Sequence, residues 1–437
     1  MLLEFRTSNY KSFQEEVVFS MMPAPRQTGL DYSIQTVKIG NRNYRGLSSA
    51  VIYGPNASGK TNLIGAMDTM RSIVLRGNVK NSAEVVSPNA ASYSLELIPN
   101  CRNGHVPTVF SVSFVDGGKV INYSFSVDLG KFMEKDYERN IVSENLSVNG
   151  KALFRREGQT LQIIPSAQFF GSAISRKNMD VAIGIGENSL NREELFLCNG
   201  FKTIFSKEIV SDILDWFENR FMVIYRSDAM KVIRKFADPK EDTIYISKTV
   251  NEAARSFGIT SNALGYKQEG DDVVLCSLFE GENGVTAIPA EMFESFGTIR
   301  FVNEFPLVIR ALLTGATLVM DEFDASIHPM ALMNIINIFH NDDINKKGAQ
   351  LIFCTHNPIF LNAALFRRDE IKFVERNKET DGSIHYALSD FKTSDGIRKG
   401  EDYLTNYFAG RYGAIEDVDF AQLMEKILSS VGGEGNG

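Results

Sequence analysis

Gly54, Pro55, Asn56, Ala57, Ser58, Gly59, Lys60 and Thr61 follow one another in the pattern GxxxxGK[ST]. In such a loop backbone N–H groups wrap a triphosphate, the lysine reaches its β and γ phosphates, and the hydroxyl binds Mg²⁺. The flanks suit this chemistry. A short apolar run from Ala50 to Tyr53 delivers the loop, and Leu63, Met67, Met70, Ile73 and Val74 follow at helical spacing. The helix therefore starts on the loop, and its N-terminal dipole adds to anion binding. Asn62, next in the chain, joins the candidate ATP-binding residues. A glycine turn without a ligand is the competing reading, and the strand–loop–helix context weighs against it.

A P-loop needs an acidic partner on a neighbouring strand to hold Mg²⁺ through water. Thr317 to Met320 form an apolar strand that ends in Asp321 and Glu322. Asp321 is the expected metal partner of Thr61, and Glu322 is placed to accept a proton from the attacking water. Lys60 and Asp321 lie 261 positions apart, since 321 − 60 = 261. Ring-forming AAA+ modules and small GTPases place these motifs much closer, and an insertion of this size points to an ABC-type ATPase head.

Further segments carry that resemblance. Glu294 to Arg300, read Glu-Ser-Phe-Gly-Thr-Ile-Arg, looks like a variant of the ABC signature motif, departing from the transporter form at Phe296, where a glycine is usual. Ser295, Gly297 and Thr298 at the start of a helix form a second anion site, one that would close on the γ-phosphate held by another protomer. A capped helix without a ligand is the simpler reading of Ser295. The run from Asp324 to Pro329 is similar to the D-loop that links two heads, with Asp324 as its residue acting in trans. Leu351 to Pro358 is similar to the switch-histidine strand, so His356 is expected to hydrogen-bond the γ-phosphate or the attacking water. For His328 a cap or packing role is at least as plausible as catalysis. Gln168 is the candidate for the glutamine that such heads place near Mg²⁺.

Asn9, Tyr10, Lys11, Ser12 and Phe13 resemble the opening of the RecF, SMC and OLD group of ABC-type ATPases, where polar residues of this turn lie near the nucleotide; Lys11 is the residue expected there. A solvated turn lysine is the alternative. The signature region, Asp321 to Pro329, and Tyr407 to Ile415 together resemble a narrower group, the RloA-like AAA-family ATPases, with relatives in abortive-infection systems. Glu416 departs from that group, where proline is common. The resemblance covers nearly the whole chain. It implies a homodimer or higher oligomer with ATP sandwiched between heads, and a separate effector, often a TOPRIM-like nuclease, in anti-phage defence. DNA or a phage protein is the implied trigger. Neither composition nor spacing speaks to the effector.

The expected fold class is α/β: a P-loop parallel sheet core, an antiparallel β subdomain and a helical insert lobe. One discontinuous head divides into N-terminal strands, loop and first helix (1–90), an antiparallel β region (91–165), a mainly helical insert (166–290) and a C-terminal α/β part (291–437). Period-two alternation marks the antiparallel region, in Phe110, Val112, Phe114 and again in Ile121, Tyr123, Phe125, Val127 across a Gly117-Gly118 turn. A helix is expected near Ile359 to Leu365, and an amphipathic one from Phe420 to Leu428. No heptad run supports a coiled-coil arm.

Composition bounds the rest. Of 437 residues, 46 are Lys or Arg and 54 Asp or Glu, a net charge of −8 that does not favour a sequence-independent grip on nucleic acid. A local basic patch from Arg367-Arg368 and Lys346-Lys347 is the exception, and would suit a RecF-like DNA-binding reading. A scaffold that holds ATP with little turnover is the third reading. Four widely spaced cysteines suggest reduced, buried thiols. No apolar stretch reaches the roughly 20 residues a bilayer needs, so a cytoplasmic protein is expected.

Overall fold

The N-terminal run Leu2–Ser8 (β1) buries Leu2 and Phe5 and pairs antiparallel with Val17–Ser20 (β2), Phe5 lying opposite Phe19. A hairpin of Ile34–Ile39 (β3) and Arg42–Leu47 (β4) leads to the buried strand Ser49–Tyr53 (β5) and the helix Lys60–Arg76 (α1). Five antiparallel strands follow: Thr108–Asp116 (β6), Lys119–Asp128 (β7), Asn140–Val148 (β8), Lys151–Glu157 (β9) and Thr160–Ile163 (β10). Gly117 and Gly118, at φ 51° and 68°, make the β6–β7 turn that the alternation predicts. The sheet runs β10-β9-β8-β7-β6-β1-β2. The computed structural model describes residues 1–25, 27–80, 96–134, 137–164, 169–171, 178–225, 244–258, 262–269, 272–282, 284–324, 327–392, 401–415 and 420–433.

Helices Met179–Asn188 (α2), Gly200–Ile204 (α3) and Lys207–Asp215 (α4) lead into Phe221–Ile224 (β11). The later part of the insert departs from its mainly helical expectation. Ile244–Tyr245 (β12), Ala263–Glu269 (β13), Asp272–Gly281 (β14) and Gly284–Pro289 (β15) form an antiparallel sheet, with Lys248–Ser256 (α5) after the first strand. Cross-strand pairing accounts for it: Ala263 to Glu269 lie opposite Leu278 to Asp272, and Leu264, Tyr266, Cys276 and Leu278 are buried on this sheet.

Short helix Ala290–Phe293 (α6) and long helix Phe296–Thr314 (α7) precede the core strands Thr317–Met320 (β16), Gln350–Cys354 (β17), Ile371–Arg376 (β18) and Ser383–Ala387 (β19). Pro329–Phe339 (α8) lies between β16 and β17; Tyr403–Phe408 (α9) and Phe420–Gly433 (α10) follow. The core sheet runs β11-β16-β17-β5-β18-β19, parallel except for β19. Its central strands β16, β17 and β5 are buried throughout because both faces are covered. The helix expected near 359–365 is only one 3₁₀ turn, Pro358–Phe360. Asn362 then turns its side chain back to accept from the Ala364 N–H, which competes with helix continuation.

One apolar core fills the space between the two large sheets, with Phe5, Phe19, Leu63, Met67, Phe110 and Ile352 in it; a second, including Leu318, Leu332 and Phe373, covers the other face of the parallel sheet. The fully buried Gln350 ties the sheets together. Its Oε1 accepts from the Leu2 N–H (2.6 Å) and the Thr317 hydroxyl (2.8 Å), and its Nε2 donates to the carbonyls of Leu2 and Leu47. Among the described residues no helix is long and apolar enough to cross a membrane. Among the described residues no disulfide forms; Cys276 and Cys354 are buried and Cys198 half-buried, but Cys101, on a polar turn, is exposed, against the expectation of four buried thiols.

Candidate active site

The buried strand β5 ends at Tyr53 and releases the chain into residues 54–59. Ala57 (φ 58°) and Gly59 (φ 115°) are left-handed, a backbone form that turns successive N–H groups toward one concavity. Gly54 is required for space: a Cβ there would sit on the main-chain oxygen of Val374. Lys60 is buried, and its Nζ donates to the carbonyls of Gly54 (2.7 Å) and Pro55 (2.8 Å). Burial lowers its pKa, while Cys354, Asp321, Glu322 and Asp324 act in the opposite direction. The Ser58 hydroxyl is buried without a hydrogen-bond partner among the described residues, a polar atom suited to a phosphate oxygen.

Two strands away, β16 ends at Met320 and Asp321 follows it. The Thr61 hydroxyl donates to Asp321 Oδ1 at 3.4 Å, although the residues lie 260 apart in sequence. Burial raises the Asp321 pKa, and the Thr61 hydrogen bond opposes that rise. One hydroxyl and one carboxylate make a partial seat for a divalent cation. An Mg²⁺ ion keeps several waters and is held by one or two protein oxygens plus substrate phosphates, a demand that this pair meets. The donors present thus fit Mg²⁺ with a nucleoside triphosphate.

Glu322 follows at φ 50° and is exposed. Its main-chain oxygen accepts from Arg300 of α7, whose Nε donates to Glu304 Oε1 at 2.8 Å. Asp324, expected to act on a partner chain, has its carboxylate held within its own chain by the Thr355 hydroxyl at 2.6 Å. The same Thr355 oxygen accepts from the Asn357 N–H, so this pair shapes the loop that carries His356. His356 stands exposed just past the end of β17, between β16 and β5, and burial of part of its ring, then Lys60, lowers its pKa. His328 is a cap: its Nδ1 accepts from the Met330 N–H at the start of α8.

Ser295 caps α7, its hydroxyl accepting from the Thr298 N–H at 3.1 Å. Ser295 is exposed and Gly297 half-buried, whereas Thr298 is buried against the cap, so only the first two offer a surface. Around them Met292, Phe293 and Phe296 are 80%, 52% and 60% exposed. Glu294 accepts from Ser277 of β14, fastening this helix start to the four-stranded sheet.

Lys11 is neither solvated nor free. Its ammonium pairs with Glu96 and donates to the Tyr225 hydroxyl at 3.1 Å, although with Asn62 it lines a hollow of about 470 Å³ beside the loop. Its neighbour Ser12 accepts from Asn62 Nδ2 at 2.8 Å and crowds Gly59. Ser383 of β19 donates to the Ser58 carbonyl, and Arg376 of β18 donates to that of Ala57 at 3.1 Å. Ser383 and Arg376 carry no motif and are found only through the fold, whereas Ser12 and Arg300 lie within recognised motifs that did not single them out. Gln168 and Glu416 lie outside the described residues. Of the expected basic patch, Arg367 and Arg368 are buried, the first forked onto Asp369 and the second bonded to the carbonyls of Leu388 and Phe391; Lys346 and Lys347 stay exposed.

A parallel sheet with this loop on one strand, His356 after the next and the Asp-Glu pair after the third, joined to a large antiparallel sheet, defines an ABC-type P-loop ATPase head. Residues 49–362 match the family described as "AAA domain, putative AbiEii toxin, Type IV TA system", and the chain belongs to that family. Among solved structures it is similar to an SMC head domain from Thermotoga maritima, at 14% identity and a TM-score of 0.34 over 88% of this chain and 98% of that one. A similar match is an Smc head with an extended coiled coil bound to the C-terminal domain of ScpA, from Pyrococcus furiosus (12% identity, TM-score 0.37, 89% and 97% covered). No curated protein matches it.

Proposed function

We propose that the chain binds and hydrolyses ATP with Mg²⁺, and that two copies close on the nucleotide as a switch governing a separate effector in anti-phage defence. The observation that carries the reading is the 3.4 Å approach of Thr61 Oγ1 to Asp321 Oδ1 beneath a left-handed glycine loop. In this scheme Lys60 and the loop hold the phosphates, Glu322 takes the proton of the attacking water, and His356 contacts the γ-phosphate. Ser295 and Gly297 of one copy complete the site of the other. The exposed Met292, Phe293 and Phe296 beside Ser295 support an association there, because large apolar side chains gathered on a surface gain by being covered. Asp324, whose carboxylate Thr355 positions within its own chain, is the D-loop residue that would face the other copy when the pair closes.

Closed and open heads would hold or release the effector. The family's toxin-system context supports a defence role; a TOPRIM-like nuclease as effector, and DNA or a phage protein as trigger, rest on the resemblance in sequence. The four-part division of one discontinuous head belongs to the same proposal.

The test is the solution mass of Glu322→Gln by light scattering, with and without ATP and Mg²⁺, alongside Glu322→Gln/Ser295→Arg. Association driven by ATP and abolished by Ser295→Arg is expected. ATP-driven association that survives Ser295→Arg would remove the trans site, and bound ATP with no change in mass would remove the closing switch.

A further inference from the structure

Lys372 lies on β18 between β5 and β19, with 3% of its surface exposed, and its ammonium makes no hydrogen bond or ion pair among the described residues. The Phe19 ring lies 5.8 Å from its Nζ. The acidic groups that bear on it are occupied elsewhere. Asp369 is forked by Arg367 and accepts from the Ala24 N–H; Glu370 accepts from Ser49 and the Arg367 N–H; Asp390 accepts from the Ala387 N–H. Burial, only partly offset by these three carboxylates, lowers the Lys372 pKa to about 8. His385, on the neighbouring strand, is held neutral by burial, and its Nε2 is also without a partner.

An ammonium without a protein partner at so buried a position is unfavourable, and methionine there would fill similar space without that cost. Lys372 does, however, line a groove of about 730 Å³ between β2 and β19, within the size range of small-molecule sites. The groove has apolar walls in Met22, Pro23, Pro25 and Ile384, and Glu15, Glu16, Asp369 and Asp390 also line it. Asp369 is already neutralised by Arg367 and Glu16 by Arg6, which leaves little uncompensated charge around the Lys372 ammonium, so a monoanion is better tolerated there than a phosphate dianion. A carboxylate matches the donors of an ammonium.

We propose that this groove binds a small organic carboxylate with an apolar tail, its carboxylate paired with Lys372. The site is separate from the nucleotide loop, and its test involves no ATP, so it stands or falls independently of the proposed function.

Hexanoate is a suitable probe, exchanged for chloride at constant ionic strength, with hexanamide as the neutral counterpart. Thermal unfolding of wild type is expected to shift upward with hexanoate and not with hexanamide, and Lys372→Met is expected to show no hexanoate shift. Acetylation of Lys372 by acetic anhydride, followed by mass spectrometry of the wild-type protein, gives a second reading that needs no variant. Hexanoate at twice its dissociation constant leaves a third of sites free and should slow this acetylation roughly threefold. Absence of either effect in wild type, equal protection by hexanamide, or an equal thermal shift in a folded Lys372→Met protein would overturn the proposal.

Discussion

The Arg300 guanidinium of α7 donates to the main-chain oxygen of Glu322, and at 3.4 Å to that of Asp321. The helix that Ser295 caps therefore grips the end of the strand that carries both carboxylates. Glu322 sits there at φ 50°, a left-handed form that costs a non-glycine residue about 1 kcal/mol or more. Arg300 holds it in place without touching the carboxyl group that would do chemistry.

Arg300→Met should consequently lower ATP turnover by roughly ten- to a hundredfold through misplacement of Glu322, while the P-loop keeps its affinity. Steady-state kinetics read this as a fall in kcat with little change in ATP binding. An equal loss of binding would mean that Arg300 supports the fold as a whole.

Removing the proposed base has a sharper signature. Glu322→Gln keeps the shape of the side chain, so fluorescent-ATP binding should persist while turnover falls by about 10²-fold or more. Unchanged turnover would take Glu322 out of the mechanism.

Gly59 lies at φ 115°, and a Cβ added there would collide with the hydroxyls of Ser383 and Ser12. Gly59→Ala combines backbone strain with overpacking, together about 1–3 kcal/mol against the native loop. Titration with ATP should show binding weakened by roughly five- to 150-fold. Alanine at the half-buried turn residue Gly158, where a Cβ meets nothing, should leave ATP binding as it is.

Glu304 supplies a pH test. Burial raises its pKa to about 7 against the opposing pull of Arg300, from an ordinary value of 4.5. The folded state thus binds the proton more tightly than the unfolded chain. The resulting stabilisation is complete below about pH 4.5 and is lost as pH rises through about 7. Denaturant titrations should show wild type losing stability relative to Glu304→Gln across that window; a constant difference would mean that Glu304 titrates normally.

Much of the site is legible in the chain because its chemistry is local. Gly54 to Thr61 must be contiguous for one loop to wrap phosphates, and an apolar strand ending in Asp321 and Glu322 is a covalent neighbour relation. His328 as a cap is visible for the same reason, since Pro329 begins a helical run. Lys11 illustrates the opposite case. The turn that carries it was recognisable, but its pairing with Glu96 and Tyr225, 85 and 214 positions away, was not. Arg367 and Arg368 look like surface charge until the fold surrounds them with Asp369 and free carbonyls. The strands β12 to β15 were obscured because short alternating runs beside helical ones give a mixed period.

The amino-acid sequence by itself determined the phosphate loop, the carboxylate pair and the alternating strand–helix order of the core, because each depends on spacing within a few residues. Only the tertiary structure decided that Thr61 meets Asp321, that Ser12, Ser383 and Arg376 brace the loop, and that Lys372 is left facing a groove. Those meetings depend on strand order, β16 and β5 flanking β17 and β18 lying beside β5. Strand order is chosen by burial of apolar faces contributed by the whole chain, so no local spacing encodes it.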